Sequence, residues 1–244
     1  YGIMTPELDW LKRWAQFSPD AVALAMGESE KRLTYRELLG QACRLAVRLR
    51  DQFGVSAGDR VACLASNELE YISLFFATQR LGAILVPVNF RFTASEVAHI
   101  VRDSGSKVVV CEREFWSCVE GLKSETQLWT FDGPESLIEA ASSSMDLAPS
   151  EVPFAATWED PAMILYTSGT TGFPKGAVIS HRMIFWNSIN TGLRLNLTQS
   201  EVVLTFLPLF HTGGWNVLTT PCLHRGAKVI VLKKFDADLI LQLS

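Results

Sequence analysis

Cysteine is scarce in this sequence, and the cysteines are not arranged in pairs. The 244 residues include five cysteines, an odd number, and no two of them stand at the C-x-x-C spacing of a zinc or redox site. Cys43, Cys63 and Cys111 lie within apolar segments, where a buried thiol is expected. The pattern argues against a disulfide framework and against a cysteine metal site, so no metal ligand is assigned. It favours a reducing, cytoplasmic environment.

The sequence also lacks a basic excess and long apolar runs. Lysine and arginine number 22 against 26 acidic residues, a net charge of −4, so no surface for nucleic acid or an anionic membrane is expected. No uninterrupted apolar run reaches transmembrane length, and the first residues lack the basic and apolar regions of a signal peptide. An anionic ligand would therefore have to be held by a local site.

Short apolar runs alternate with amphipathic segments along most of the chain. Strands are expected near 61–65, 83–88, 108–111, 128–131, 162–166, 202–207 and 228–232, with a hairpin formed by 21–26 and 32–34. Helices are expected near 5–20, 34–54, 67–81, 113–123, 180–193 and 213–223, with another beginning at Thr93. Nearly continuous apolar strands between amphipathic helices are typical of parallel sheets buried on both faces. The predicted fold class is α/β, with two similar lobes of mainly parallel sheet flanked by helices.

Two segments depart from this pattern. Residues 132–160 are rich in proline and serine, which predicts a flexible linker or mobile surface loop. Residues 235–244 begin like a helix with Asp236 as its N-cap and then stop without a glycine or a basic last turn. The chain is therefore expected to be cut at its C-terminus.

The most informative stretch is YTSGTTGFPKG, from Tyr166 to Gly176. It combines glycines that allow close backbone approach, hydroxyls that donate hydrogen bonds, and Lys175 as a mobile positive charge, a combination that suits a polyphosphate. It does not match the Walker A loop, because Pro174 precedes the lysine and no hydroxyl follows it. The glycine spacing does not match a dinucleotide fingerprint, and Ser168 lacks the surroundings of a nucleophile elbow. A flexible polar turn is the other interpretation that composition allows.

The same eleven residues resemble the phosphate-loop signature of the adenylate-forming (AMP-binding) superfamily, which includes acyl-CoA synthetases, firefly luciferase and the adenylation domains of peptide synthetases. LPLFHTGG at 207–214 is similar to a segment of the acyl- and aryl-CoA synthetase branch. LTYREL at 33–38 is similar to an early helix start of the family. The resemblance extends from about residue 5 to the end of the chain.

The resemblance implies a reaction and a set of site residues. The expected reaction joins a carboxylic acid, fatty or aryl, to ATP, giving acyl-AMP and pyrophosphate, and then transfers the acyl group to CoA. Mg²⁺ is expected to bridge the phosphates, and the implied phosphate cradle is Thr167, Ser168, Gly169, Thr170, Thr171, Gly172 and Lys175. His211 is implied as a catalytic residue that gates the pocket rather than acting as a general base. Gly213, Gly214 and Trp215 are implied as the wall of the acyl pocket, with core packing as the other interpretation of Trp215.

The resemblance also bounds what this chain contains. Residues 1–244 correspond to part of the N-terminal AMP-binding domain, and a barrel subdomain, a C-terminal lid domain and most adenine-binding groups lie further downstream in the family. We therefore expect these 244 residues to be inactive alone, and homo-oligomerisation is a further expectation. Transfer to a carrier protein instead of CoA, and a non-catalytic nucleotide-binding remnant, remain alternatives. His181 is expected on the surface, and His99 and His224 are expected to be structural.

Overall fold

The computed structural model describes residues 7–143, 152–167 and 174–243. The described strands are Val22–Met26 (β1), Arg32–Thr34 (β2), Arg60–Leu64 (β3), Ile84–Pro87 (β4), Ser106–Cys111 (β5), Gln127–Thr130 (β6), Pro161–Thr167 (β7), Lys175–Ser180 (β8), Val202–Thr205 (β9) and Lys228–Val231 (β10). The described α-helices are Trp10–Phe17 (α1), Tyr35–Phe53 (α2), Leu69–Leu81 (α3), Ala94–Ser104 (α4), Leu137–Ser142 (α5), His181–Arg194 (α6), Thr219–Arg225 (α7) and Ala237–Leu243 (α8).

The strands form two mainly parallel sheets. One sheet has the order β2-β1-β10-β9 and the other the order β6-β5-β3-β4-β7-β8. Antiparallel pairing in the described residues is confined to one edge of each sheet, where β2 pairs with β1 and β8 pairs with β7. The smaller sheet is closed by β1 lying parallel to β10, so strands from the two ends of the chain are neighbours. The predicted α/β class and the hairpin of β1 and β2 are confirmed.

Helix α3 lies at the centre of the molecule because apolar residues occur on all of its sides, and ion pairs with Lys31 and Asp9 compensate its buried Glu70 and Arg80. Its residues from Leu69 to Arg80 are buried, and it contacts β1 of one sheet and β4 of the other. A helix that is apolar on all sides needs neighbours on all sides. The larger core cluster contains residues from both sheets, such as Leu24 and Val61, and packs around this helix. A smaller cluster lies on the opposite face of the six-stranded sheet beneath α4.

The capping signals located the helix boundaries well. Thr34 with Glu37, and Thr93 with Glu96, form complete capping boxes at the starts of α2 and α4. Asp236 accepts a hydrogen bond from the backbone N–H of Leu239 at 3.0 Å, as expected of an N-cap at the start of α8. Each of these capping bonds joins two residues only three positions apart, so tertiary context changes it little.

Several sequence predictions of local structure are wrong. β8 was missed because its residues are mostly exposed on a sheet edge and show no alternation. The predicted linker contains α5, which Ser136 caps and whose Leu137 and Ala141 are buried. The segment predicted as a helix near 113–123 consists of two 3₁₀ helices, Arg113–Cys118 and Glu120–Leu122.

The strand predicted at 202–207 ends at Thr205. Beyond it, the carbonyl of Leu207 accepts a hydrogen bond from the side chain of Asn67. The helix predicted at 213–223 is a π-helical turn over Gly213–Val217 followed by α7, with a non-helical residue, Leu218, between them.

Candidate active site

The glycine-rich stretch connects two antiparallel strands rather than a strand and a helix. Thr167 is the last residue of β7, and its cross-strand partner is Lys175, the first residue of β8. Both residues are exposed, and Tyr166 pairs with Gly176 one step further into the hairpin. The predicted phosphate cradle therefore begins with a hydroxyl and ends with an ammonium group on facing positions. Five predicted cradle residues, Ser168, Gly169, Thr170, Thr171 and Gly172, lie outside the described residues.

Helix α6 begins at His181, directly after β8, and β8 separates it from Lys175. Ser180 caps it, accepting a hydrogen bond from the backbone N–H of Met183 at 3.3 Å, as the predicted start near residue 180 implies. Because β8 occupies the residues between Lys175 and the cap, Lys175 is not part of a loop that opens directly into a helix, as it would be in a Walker A site.

The segment after β9 is held in place by the side chain of Asn67. Its amide nitrogen donates to the carbonyl oxygens of Leu207 and Leu232, each at 3.0 Å, and its amide oxygen accepts from the backbone N–H of Leu209 at 2.8 Å. Asn67 is 3% exposed, so these bonds satisfy groups that water does not reach. One buried amide thus joins the end of the six-stranded sheet to the segment that carries His211.

His211 lies on an exposed turn with a defined ring orientation. Its backbone N–H donates to the carbonyl of Pro208 at 3.1 Å, and its Nδ1 accepts from the backbone N–H of Gly213 at 3.2 Å. With Nδ1 acting as an acceptor, the neutral imidazole carries its proton on Nε2 and presents an N–H donor there. The preceding Phe210 anchors the turn, with its ring perpendicular to that of Phe90 at a centroid distance of 5.1 Å.

The three residues predicted as an acyl-pocket wall differ in what they face. A Cβ on Gly214 would lie 2.3 Å from the carbonyl oxygen of Pro208, so this glycine allows two backbone segments to touch rather than making room for a substrate. The Trp215 side chain is fully buried, and its ring packs at 4.9 Å from Phe75 in the core. Core packing is thus what the geometry supports for Trp215.

Gly213 does border a cavity. The cavity is apolar and has a volume of about 80 Å³. Its lining residues are Leu204, Thr205, Phe206, Leu207, Gly213, Val217, Leu218 and Thr219. Pockets that hold small-molecule ligands usually measure roughly 300 to 1,000 Å³. The described residues therefore form only one wall of a site large enough for an organic acid. A larger cavity, of about 890 Å³, lies elsewhere, between α1, α6 and α7.

A charged cluster lies where α3 begins, beside Asn67. Glu68 accepts from Lys233, which follows β10, at 2.6 Å, and Glu70 accepts from Lys31 of the turn between β1 and β2 at 2.7 Å. The hydrogen bond to Glu68 raises the pKa of Lys233. Both carboxylates are compensated and lie near the N-terminus of a helix, where negative charge is stabilised. The cluster ties together elements of both sheets at the end of their strands.

His181 and His224 are both buried, and the sequence placed His181 wrongly. His181 was predicted on the surface, and it is 4% exposed because α6 begins beneath residues 154–160. Burial lowers its pKa to about 4. His224 is also buried, with its ring 4.8 Å from that of Trp10, and burial lowers its pKa to about 4. Both rings are neutral at physiological pH, so neither serves as a cation.

The described residues contain no group of three or more histidine, cysteine, aspartate or glutamate side chains able to hold a metal ion. Across the three described ranges, no helix is both long and apolar enough to cross a membrane. No hydrogen bond or ion pair among the described residues joins Lys175 to His211.

Sequence reasoning missed two residues, Asn67 and Asp103, and Asp103 accepts a hydrogen bond from Tyr166. Asn67 could have been found from its place directly after a buried strand, where side chains reach the ligand-binding edge of parallel sheets.

The sequence is similar to those of known enzymes. Residues 11–243 match the family model of the AMP-binding enzymes. The chain is 35% identical over 240 residues to an indoleacetate–CoA ligase from Aromatoleum aromaticum, covering 94% of this chain and 46% of the ligase. It is 35% identical to the fatty acid–[acyl-carrier-protein] ligase ScoC from Streptomyces coeruleorubidus, covering 86% of this chain and 41% of that protein.

The fold is similar to that of a solved structure. ATP-bound MatB from Rhodopseudomonas palustris superposes with a TM-score of 0.86 and 30% identity, covering 98% of this chain and 48% of MatB. The chain thus spans about half the length of the relatives it matches.

Proposed function

The chain belongs to the AMP-binding enzyme family, and from that membership we propose that the whole protein activates a carboxylic acid with ATP and transfers the acyl group to CoA. In the first step a carboxylate oxygen attacks the α-phosphorus of ATP, and the bond to the β,γ-pyrophosphate breaks. In the second step the CoA sulfur attacks the acyl carbon, AMP leaves with the bonding electrons, and the thiol proton is released. The similarity to the indoleacetate–CoA ligase from Aromatoleum supports CoA as the acceptor, and the proposed substrate is a fatty or aryl acid.

The observation that carries the proposal is the base of the β7–β8 hairpin. Thr167 and Lys175 face each other across the two strands and frame the stretch of glycines and hydroxyls. Charge builds on the β- and γ-phosphates as pyrophosphate leaves, so groups that hold this charge stabilise the transition state. We assign Lys175 and Thr167 to this cradle, together with Ser168, Gly169, Thr170, Thr171 and Gly172.

Mg²⁺ fits this assignment as a partner of ATP rather than as an ion caged by the protein. Magnesium usually keeps several waters and is bound through substrate phosphates plus one or two carboxylates. Magnesium would neutralise phosphate charge, while Lys175 would hold the phosphates in place.

His211 is proposed to border the acyl site as a donor of a hydrogen bond. Its Nε2 proton, defined by the contact at Nδ1, can be directed at an oxygen of the acyl phosphate. Gly213 borders the apolar cavity behind this turn, with Gly214 supporting the turn through its contact with Pro208. This assignment makes His211 a gating and binding group rather than a general base.

The test is acid-dependent exchange of pyrophosphate into ATP by the full-length protein. Lys175→Gln is expected to lower kcat/KM for ATP by about 100-fold or more, the usual effect of removing one donor to a developing charge. Lys12→Gln, a change at an exposed lysine on α1, is the matched control and should leave exchange unchanged. Exchange that no acid supports would contradict the proposal and favour a non-catalytic nucleotide-binding protein. Exchange that Lys175→Gln leaves intact would contradict the assignment of Lys175 to the phosphate cradle.

A carrier protein is a second candidate acceptor because ScoC, which is 35% identical to this chain, is named as a ligase for an acyl-carrier protein. The acceptor is identified by supplying CoA and a phosphopantetheinylated carrier protein in parallel and measuring which thiol becomes acylated. Both outcomes share the first step, so the exchange test above does not depend on the acceptor.

A further inference from the structure

A single helix contacts both arms of the hairpin that frames the proposed phosphate cradle. His99 and Asp103 stand four residues apart on α4 and therefore lie on the same face of the helix. The Tyr166 hydroxyl donates to Oδ2 of Asp103 at 2.6 Å, and the Nε2 of His99 lies 3.2 Å from the carbonyl oxygen of Pro174. Tyr166 and Pro174 are the residues immediately before Thr167 and Lys175.

Gly176 makes the first of these contacts sterically feasible. It is the cross-strand partner of Tyr166, and a Cβ at this position would lie 2.6 Å from Cγ2 of Ile164 and 3.0 Å from Cζ of Tyr166. The tyrosine ring thus lies across the space that a side chain would occupy. From there its hydroxyl reaches the acidic residue on α4 while its ring is buried in the smaller core cluster.

The tyrosine remains a hydrogen-bond donor because burial and the neighbouring Asp103 carboxylate raise its pKa. The helix that carries the two contacts is itself well fixed. Its first turn is closed by the capping box of Thr93 and Glu96, and its apolar face, with Val97 and Ile100, is buried against the sheet. A rigid helix bonded to both arms of a hairpin restricts how the arms move relative to each other.

We propose that His99 and Asp103 are positioning residues that fix Thr167 and Lys175 for binding the phosphates of ATP, acting through Pro174 and Tyr166. The proposal deepens the proposed function and rests on it for the identity of the ligand. It assigns parts of the motif that carry no phosphate-binding group: Tyr166, Pro174 and Gly176 join the hairpin to α4. A general stabilising contact, by contrast, would affect both substrates alike.

The experiment measures KM for ATP, KM for the acid, and kcat in the full-length protein. Asp103→Ala and Tyr166→Phe are each expected to raise KM for ATP about tenfold, which corresponds to ~1.4 kcal/mol, with KM for the acid unchanged. Asp103→Asn keeps an oxygen acceptor for the tyrosine and is expected to restore most of the affinity for ATP. The double variant should be no worse than either single one, because both remove the same bond.

Arg102→Ala is the matched control, since Arg102 is exposed on the same helix and pairs with Glu125 instead. It should leave all three constants unchanged. Equal effects on both substrates, or the same effect from the control, would overturn the proposal in favour of a purely structural contact.

A second readout does not depend on catalysis. Trypsin cleaves after Lys175 only when the start of β8 opens, so the cleavage rate under native conditions reports the local stability of the hairpin. We expect Asp103→Ala, Tyr166→Phe and His99→Ala to speed cleavage after Lys175 several-fold, and Arg102→Ala to leave it unchanged. If the wild type exchanges no pyrophosphate with any acid, the proposed function fails while this arm still decides whether α4 restrains the hairpin. Unchanged cleavage in all three variants would refute the restraint.

Discussion

Replacing Asn67 by alanine tests whether one buried amide holds the His211 segment in place. The amide makes three hydrogen bonds, two as donor to Leu207 and Leu232 and one as acceptor from Leu209. The substitution removes all three and leaves the backbone groups of these residues without that partner in a site that is almost closed to water.

The expected cost follows from the number of bonds. A hydrogen bond of this kind contributes a net ~1 kcal/mol, so Asn67→Ala should lower the free energy of unfolding by about 3 kcal/mol. For a protein of this size each kcal/mol shifts the melting temperature by roughly 2 to 4 °C, which places the expected decrease at about 6 to 12 °C. Because His211 follows this segment directly, acyl transfer should also slow in the full-length protein.

The assay is urea-induced unfolding followed by tryptophan fluorescence, with Asn187→Ala as the matched control. Asn187 donates a single hydrogen bond, to the carbonyl of Asn216, so its loss should cost only about 1 kcal/mol. An Asn67→Ala cost no larger than that of Asn187→Ala would refute the conclusion that three bonds converge on Asn67. Unchanged acyl transfer at a temperature where the variant is folded would refute its role in placing His211.

Two further predictions concern backbone contact and pH. Gly214→Ala should lower the free energy of unfolding by about 1 to 3 kcal/mol, because its Cβ would meet the backbone of Pro208, whereas Gly213→Ala meets the flexible end of a side chain at 3.1 Å and should cost much less. Comparable costs in urea unfolding would contradict this reading. His224 has its pKa lowered from 6.5 to about 4 by burial, so between those values the unfolded chain binds a proton that the folded protein does not.

The free energy of unfolding should thus be independent of this residue above pH 6.5 and should fall by up to ~1.4 kcal/mol per pH unit toward pH 4, and a His224→Leu variant should lose its share of that slope. Identical slopes in wild type and variant, measured by urea unfolding across that pH window, would show that the ring already titrates normally in the folded protein.

The helix starts and most buried strands could be predicted from the sequence because their causes are local. Thr34 and Thr93 cap helices through bonds to residues only three positions away, and apolar runs such as Val108–Cys111 have few alternatives to burial in a sheet. The motif at 166–176 likewise indicated the family through its resemblance, and the family is confirmed, whereas phosphate binding by this stretch stays a prediction. Predictions failed where the sequence pattern did not indicate solvent exposure correctly: β8 is an exposed strand that was missed, and His181 is buried although it was predicted on the surface.

Tertiary structure alone decided which distant residues act together. The bonds from Asn67 to Leu207 and from Tyr166 to Asp103 span 140 and 63 positions of the chain. No propensity or spacing encodes such contacts, because they arise only when two sheets and the helices between them pack against each other. The sequence by itself determined which chemical groups the site contains. Packing decided that Trp215 faces the core, that Gly214 serves a backbone contact, and that α4 contacts both arms of the β7–β8 hairpin.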